Sequence, residues 1–358
     1  MAEPTTDQTR QHSTGIRPLY FALLVGGVCL LFVLNLALGS VDIPIESIVR
    51  ILLGGDVSDV AWQQIVINIR IPRAVTAILA GSALSVGGLQ MQTLFRNPLA
   101  GPSVLGITAG ASLGVAIVML AAGTITSIFA IQQLSALGSW FIVVAASIGS
   151  AAVLLLILLI SIKVRDNVTL LIIGLMVGNI TIAMVSIWQY FSQPEQIQDY
   201  LIWTFGSLGG VPLNQLWILA VVALLGGGIA LVLSKPLNGL LLGENYARSM
   251  GLSVMSTRIW IIVSTSLLAG GITAFCGPIG FVGIAVPHLT RSLLGTNDHR
   301  VLIPGTLLMG AILLLACDII AQVPGSTTTL PISAVTSMIG SPVVIWVIIQ
   351  RKNLQASF

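Results

Sequence analysis

Apolar runs of about twenty residues alternate with short polar or Gly/Pro breaks from Leu19 to Ile349, the pattern of a chain that crosses a membrane repeatedly. At about 1.5 Å per residue, each run spans the roughly 30 Å of hydrocarbon as a helix. The spacing predicts ten spans, over 19–39, 71–92, 103–122, 136–161, 168–190, 212–233, 258–277, 279–294, 302–321 and 331–349. The 279–294 segment is short and the break before it slight; charge placement favours ten spans over nine. Polarity divides the chain into a tail over 1–18, a membrane domain over 19–352 and a short tail over 353–358. The expected fold class is all-α, a polytopic membrane protein with about ten transmembrane helices. The first run is too long for a signal-peptide core, so it is expected to stay as a span, although Ala37-Leu38-Gly39 faintly resembles a cleavage site.

Composition excludes a soluble enzyme of ordinary build. The chain is 56% hydrophobic and 8% charged, with mean hydropathy +1.02, where soluble domains carry about 25% charged residues. The net charge of +3 and pI near 9.0 fit basic loops better than nucleic-acid binding. With the N-terminus inside, twelve of the fifteen basic residues fall at the inner ends: Arg10, Arg17, Arg96, Lys163, Arg165, Lys235, Arg248, Arg258, Arg291, Arg300, Arg351 and Lys352. Arg50, Arg70 and Arg73 fall outside. That bias satisfies the positive-inside rule and puts both termini in the cytoplasm. Cys29, Cys276 and Cys317 all lie in apolar runs, where thiols act as small hydrophobes, and imply neither a disulfide nor a metal site.

The polar residues that remain carry the chemistry. Arg70 and Arg73 flank Pro72 at a helix start, and two guanidinium forks there suit either carboxylates on a docking partner or lipid phosphates. Pro72 fits a first helical turn. Asn97-Pro98-Leu99 ends the second span as a turn in which the asparagine can satisfy freed backbone groups. The 24 residues Ser234–Thr257 read as two short amphipathic helices broken at Gly243, either a piece that fills a groove on a partner or a solvated connector. His288, directly after Pro287, suggests a structural hydrogen bond more than a haem ligand. His299 reads as part of a cytoplasmic turn. Gln90, Gln92, Asn179, Gln189 and Asp318 are polar inside spans, where lipid makes them costly, and Asp318 is the acid deepest in a late span. The 37 glycines signal close helix packing, and Gly-Pro breaks at Gly101-Pro102 and Gly277-Pro278 hint at a repeat with broken helices.

Four stretches resemble the FecCD family of permeases, which import iron-siderophores, haem and cobalamin. They are Ile69-Arg70-Ile71-Pro72-Arg73; Phe95-Arg96-Asn97-Pro98-Leu99-Ala100-Gly101-Pro102 with Leu105-Gly106; Leu242-Gly243-Glu244-Asn245-Tyr246-Ala247-Arg248-Ser249-Met250-Gly251; and Gly280-Phe281-Val282-Gly283 through Pro287-His288 and Arg291 to Asp298-His299-Arg300. Their order and spacing match across nearly the whole chain. The resemblance implies a cobalamin-permease-like (type II ABC importer) fold in the bacterial inner membrane. It implies pairing with a second copy or a sister permease, two ATP-binding-cassette subunits that hydrolyse the ATP, and a periplasmic binding protein that delivers cargo. Arg70 and Arg73 would then meet that binding protein. Asn97 and Leu99, with Asn167 and Val168, would narrow a cytoplasmic gate. Gly243, Glu244, Ala247, Arg248 and Gly251 would belong to the ATPase-coupling loop 234–257, and cargo would enter between the fifth and tenth spans of two subunits. Asp318 would close an internal hydrogen-bond network. No bound cofactor or metal is expected.

Two departures thin the outer basic cluster: Gln322 stands where the family often has arginine, and Thr329 and Ser333 replace glutamate and glycine of a late motif. Other functional classes find less support. An ion-coupled secondary transporter would want midplane carboxylates, and Asp318 is a single one. The chain contains no Walker A loop, so ATP hydrolysis is assigned to a partner, and neither H-E-x-x-H nor G-x-S-x-G marks an intramembrane enzyme.

Overall fold

The computed structural model describes residues 16–39, 41, 43–55, 59–120, 135–164, 166–323 and 328–350. Every regular element among them is helical. In chain order these are α1 (Ile16–Ala37), α2 (Ile45–Leu52), α3 (Val60–Ile65), α4 (Ile71–Leu94), α5 (Ile107–Met119), α6 (Ser135–Lys163), α7 (Asn167–Phe191), α8 (Pro194–Thr204), α9 (Leu213–Val232), α10 (Ser234–Leu241), α11 (Glu244–Ser249), α12 (Val254–Cys276), α13 (Val282–Leu294), α14 (His299–Ala321) and α15 (Ile332–Gln350). Helices α1, α4, α5, α6, α7, α9, α12, α13, α14 and α15 occupy the ten predicted runs. Among the described residues, seven helices are long and apolar enough to cross a membrane, and the chain is a multi-pass membrane protein. The C-terminal tail and most of the N-terminal one lie outside the described residues.

The short helices are explained by the Gly-Pro breaks. Helices α5 and α13 have 13 residues each, about 20 Å at 1.5 Å per residue and too little for a full crossing. Each is preceded by chain that folds back into the bundle. Before α5 runs a 3₁₀ turn, Pro102–Leu105, and then Gly106 with φ 75°. Pro102 lies against Gly87 and Gly283, while Gly101 faces Ile284. The start of α13 rests on α4 at Leu84 and Gly88, so it too begins in the interior. The two re-entrant pieces therefore pack on one another at the centre, where α4 and α12 supply buried walls.

Two backbone crossings hold that centre. Gly88 of α4 meets the Gly283 carbonyl, and Gly81 meets Gly310 of α14 so closely that neither position has room for a Cβ. Lipid gives no hydrophobic drive for helix association, so small residues that admit backbone contact supply it through dispersion.

The second span corrects the sequence reading. Pro72 does sit in the first turn of α4, but that turn is not a free helix start: α3, a π-helical turn over Val66–Arg70 and α4 run on continuously. The wide turn, closed by Ile71 N–H donating to Val66 O, absorbs the donor that proline lacks. Likewise α12 begins at Val254, four residues before the predicted start, which carries Arg258 into its second turn and buries it.

Gly88→Ala should lower the thermal midpoint of the detergent-purified protein by more than the ~1–3 kcal/mol of ordinary overpacking, because the new methyl meets backbone. Gly227→Ala, with nothing within 4 Å, should stay within ~0.5 kcal/mol. Equal melting of the two variants would contradict the central crossing.

Candidate functional site

Polar side chains gather in clusters at opposite ends of the bundle. Near the C-terminal end of α14, Asp318 is fully buried and saturated with donors. Arg73 reaches it from α4 by Nε at 2.9 Å and Nη2 at 2.8 Å, Asn35 from α1 at 2.8 Å, and Gln322 at 2.9 Å. One carboxylate thus ties three helices. Beside it Arg70, only 5% exposed, donates to the carbonyls of Leu36 (2.6 Å), Ala37 (2.9 Å) and Val41. A guanidinium is well suited to the carbonyls that a helix C-terminus leaves unpaired.

At the other end Glu244, the first residue of α11, is the hub. Its Oε1 accepts from Asn167 at 2.7 Å and from Arg258 at 3.1 Å, and its Oε2 accepts from Arg248 at 3.1 Å. Arg258 also donates to Val164 O (2.9 Å), and Asn167 to Leu94 O (2.9 Å). The turn after Leu94 is an Asx type, in which Asn97 Oδ1 accepts from Leu99 N at 3.0 Å. Asp166 caps α7 by accepting from Thr169 N and Oγ1, both at 2.7 Å, and these bonds hold its carboxyl below the usual 3.8. His288 bonds Pro98 O at 2.8 Å. His299 is buried between Thr93 Oγ1 and Asn238 Oδ1, both at 2.8 Å, and is not a residue of an open turn.

Between the ends, a cavity of about 440 Å³ opens along α5, α7 and α8. Its polar lining is Ser103, Thr108, Ser112, Asn179, Ser186, Gln189 and Tyr200, amides and hydroxyls without a carboxylate, imidazole or thiol.

A family model described as the FecCD transport family matches residues 27–350. The chain belongs to the FecCD family. It is 35% identical to the hemin transport system permease protein HmuU of Yersinia pestis over 92% of this chain and 96% of that one. It is 36% identical to the vitamin B12 import system permease protein BtuC of Salmonella paratyphi A over 84% and 88%. Among solved structures, a metal-chelate type ABC transporter in an inward-facing conformation superposes with TM-score 0.79 at 28% identity, covering 92% of this chain and 99% of that one. The chain is thus a membrane permease subunit of an ABC importer of the FecCD family.

The structure places the expected FecCD site residues unevenly. Arg70 points inward and is occupied by α1, so it does not offer the free fork expected of it. Arg73 keeps 18% of its side chain exposed but is committed to Asp318. Gln322, in the place where the family often has arginine, serves the same carboxylate by an amide. Leu99 and Val168 are exposed, and Asn167 joins the turn of Asn97 through Leu94. In the coupling segment Gly243 adopts φ 103° and Gly251 φ 82°, conformations that favour glycine, and Ala247 is buried. Arg248 stays about half exposed. Asn35 was missed although it is a lone amide near the end of the first apolar run, a signal that the cost of polar groups in lipid makes readable. The contact of Arg258 with Glu244 was hidden by placing the helix start too late.

Asp318→Asn leaves Arg73 facing a neutral amide and should cost the FecCD permease about 3–5 kcal/mol, the scale of a broken buried pair, read as a lowered unfolding midpoint in detergent. Glu46→Gln breaks the exposed Arg50 pair and should change stability by ~1 kcal/mol or less.

Proposed function

We propose that this permease imports an iron chelate, such as a siderophore complex or ferric citrate, handed over by a periplasmic binding protein and driven by two cytoplasmic ATPases. The observation that carries the cargo class is the cavity lining. Hydroxyls and amides at Ser112, Asn179, Gln189 and Tyr200 suit the oxygen-rich periphery of a chelate, whereas a bare transition-metal ion seeks carboxylate, imidazole or thiolate. The same lining accommodates the polar edge of haem or cobalamin, the cargoes named for HmuU and BtuC, and these stand as the second reading.

Support for the ATPase assignment comes from the Glu244 end. There α10 and α11 leave Leu242, Tyr246 and Met250 exposed, together with Arg248 and Arg300, and short apolar knobs with a basic rim fit a groove on a soluble partner. The crowding of Arg96, Lys163, Lys235, Arg248 and Arg300 at this end supports its assignment to the cytoplasm, with both termini on that side. A second permease copy, or a sister permease, is assigned to the exposed faces of α7 and α15, the fifth and tenth spans, with lipid around the rest. Leu99 and Val168, exposed at the cytoplasmic end, then narrow the gate between copies. For the binding protein, Arg73 retains an outward edge and Arg70 is withdrawn from the docking role. A secondary transporter fits less well: Asp318 is three residues from the end of α14 and neutralised by Arg73, so it is no midplane carrier of a proton.

Deleting the permease should abolish uptake of ⁵⁵Fe-labelled ferric siderophore or ferric citrate by intact cells, with restoration from a plasmid copy. Loss of hemin or cyanocobalamin uptake alone would move the cargo to the second reading, and undiminished uptake of all four would overturn the importer role.

A further inference from the structure

Resting on the importer reading, we infer that the Glu244–Asn167–Leu94 hydrogen-bond chain is the device that carries ATPase movement to the gate. Glu244 belongs to the segment offered to the ATPase, yet most of its side chain is turned inward, with 23% exposed. It is therefore a relay and not a contact residue. Its Oε1 accepts from Asn167 Nδ2 at 2.7 Å, and the same nitrogen donates to Leu94 O at 2.9 Å. Asn167 opens α7, and Leu94 ends α4 directly before the turn bearing Asn97 and Leu99. One amide nitrogen thus joins α11 to both gate segments.

The rest of the cluster makes α11 and its neighbours move as a piece. Arg258, with a side chain 2% exposed, grips Glu244 at 3.1 Å and Val164 O at 2.9 Å, which fixes α11 to the ends of α6 and α12. Helix α7, by contrast, has little wall of its own: one flank is the polar cavity, the other an apolar groove, and its tight backbone contact is Gly174 and Gly178 against Val104–Gly106. Within one subunit, a helix whose close backbone contact is confined to one glycine crossing can tilt about it when its end is pulled. Asn167 is suited to the pull by its unequal use: its Nδ2 makes two bonds, while its Oδ1 is buried with no hydrogen-bond partner. The amide is tensioned from its donor side only, and aspartate in its place would set a carboxylate against Glu244 and the Leu94 carbonyl.

The test uses the permease assembled with its ATPase in lipid nanodiscs, with Leu99→Cys as gate reporter in a Cys29→Ser background, Cys276 and Cys317 being buried. Labelling by a charged maleimide is compared without nucleotide and after trapping with ATP and vanadate. In the reference protein the rate should change at least about fivefold between the two states, and in Asn167→Ala by less than about twofold while the ATPase stays bound and hydrolyses ATP. Glu244→Gln, which keeps an acceptor oxygen but loses charge, should fall between, and the double variant should lose no more than Asn167→Ala alone. A full nucleotide-dependent change in Asn167→Ala, or additive losses in the double variant, would overturn the relay. Failure of the ATPase to bind even the reference protein would instead overturn the importer reading.

Discussion

Hydrocarbon cannot hydrogen-bond, and the rest of this structure follows from that constraint. Every charge and every interrupted backbone segment within the bundle must find its partner in the protein. The chain meets the demand by sending its charges to the two ends and closing them there around single carboxylates, Asp318 at one end and Glu244 at the other. The centre is left to close backbone contact, Gly88 on Gly283 and Gly81 on Gly310, aided by uncharged hydrogen bonds such as those of Ser264 and Thr265 to Gln90.

The two clusters are chemically alike but mechanically different. Asp318 receives donors from α1, α4 and its own helix, all long elements and the last two buried along half or more of their length, and so acts as a clasp. Glu244 sits on a six-residue helix beside a glycine at φ 103° and is tied to the ends of helices, including the lightly walled α7. The first arrangement resists displacement and the second transmits it. An importer requires both, since one face must keep its shape for a docking protein while the other follows an ATPase. The re-entrant turn before α5 adds the third requirement, a polar cavity lined in part by Ser103, Val104 and Gly106.

Much of this was legible in the sequence. Ten apolar runs gave ten helices, the break at Gly243 gave α10 and α11, and the Asn97-Pro98 turn formed as its residues dictate. Hydrophobic length could not show that α5 and α13 are short helices completed by re-entrant chain, because Ser103–Leu105 and Pro278–Phe281 are as apolar or small as a helix would be. Nor could it show which way an arginine turns. Arg70 and Arg73 are three residues apart, nearly neighbours on one helix face, yet one is absorbed by the end of α1 and the other by Asp318, and both partners are remote in sequence. Pairings across 245 residues are fixed by helix packing and leave no local mark. The family resemblance supplied the roles, and geometry then moved Arg70 and Glu244 from contact surfaces to interior links.

In the proposed orientation the Glu244 end faces the ATPase in the cytoplasm and the Asp318 end faces outward. This is tested most directly by single cysteines at exposed Tyr246 and exposed Glu195, labelled with a membrane-impermeant maleimide in sealed inside-out and right-side-out vesicles. Tyr246→Cys should react only in inside-out vesicles and Glu195→Cys only in right-side-out ones; the reverse pattern, or reaction of both from one side, would contradict this orientation.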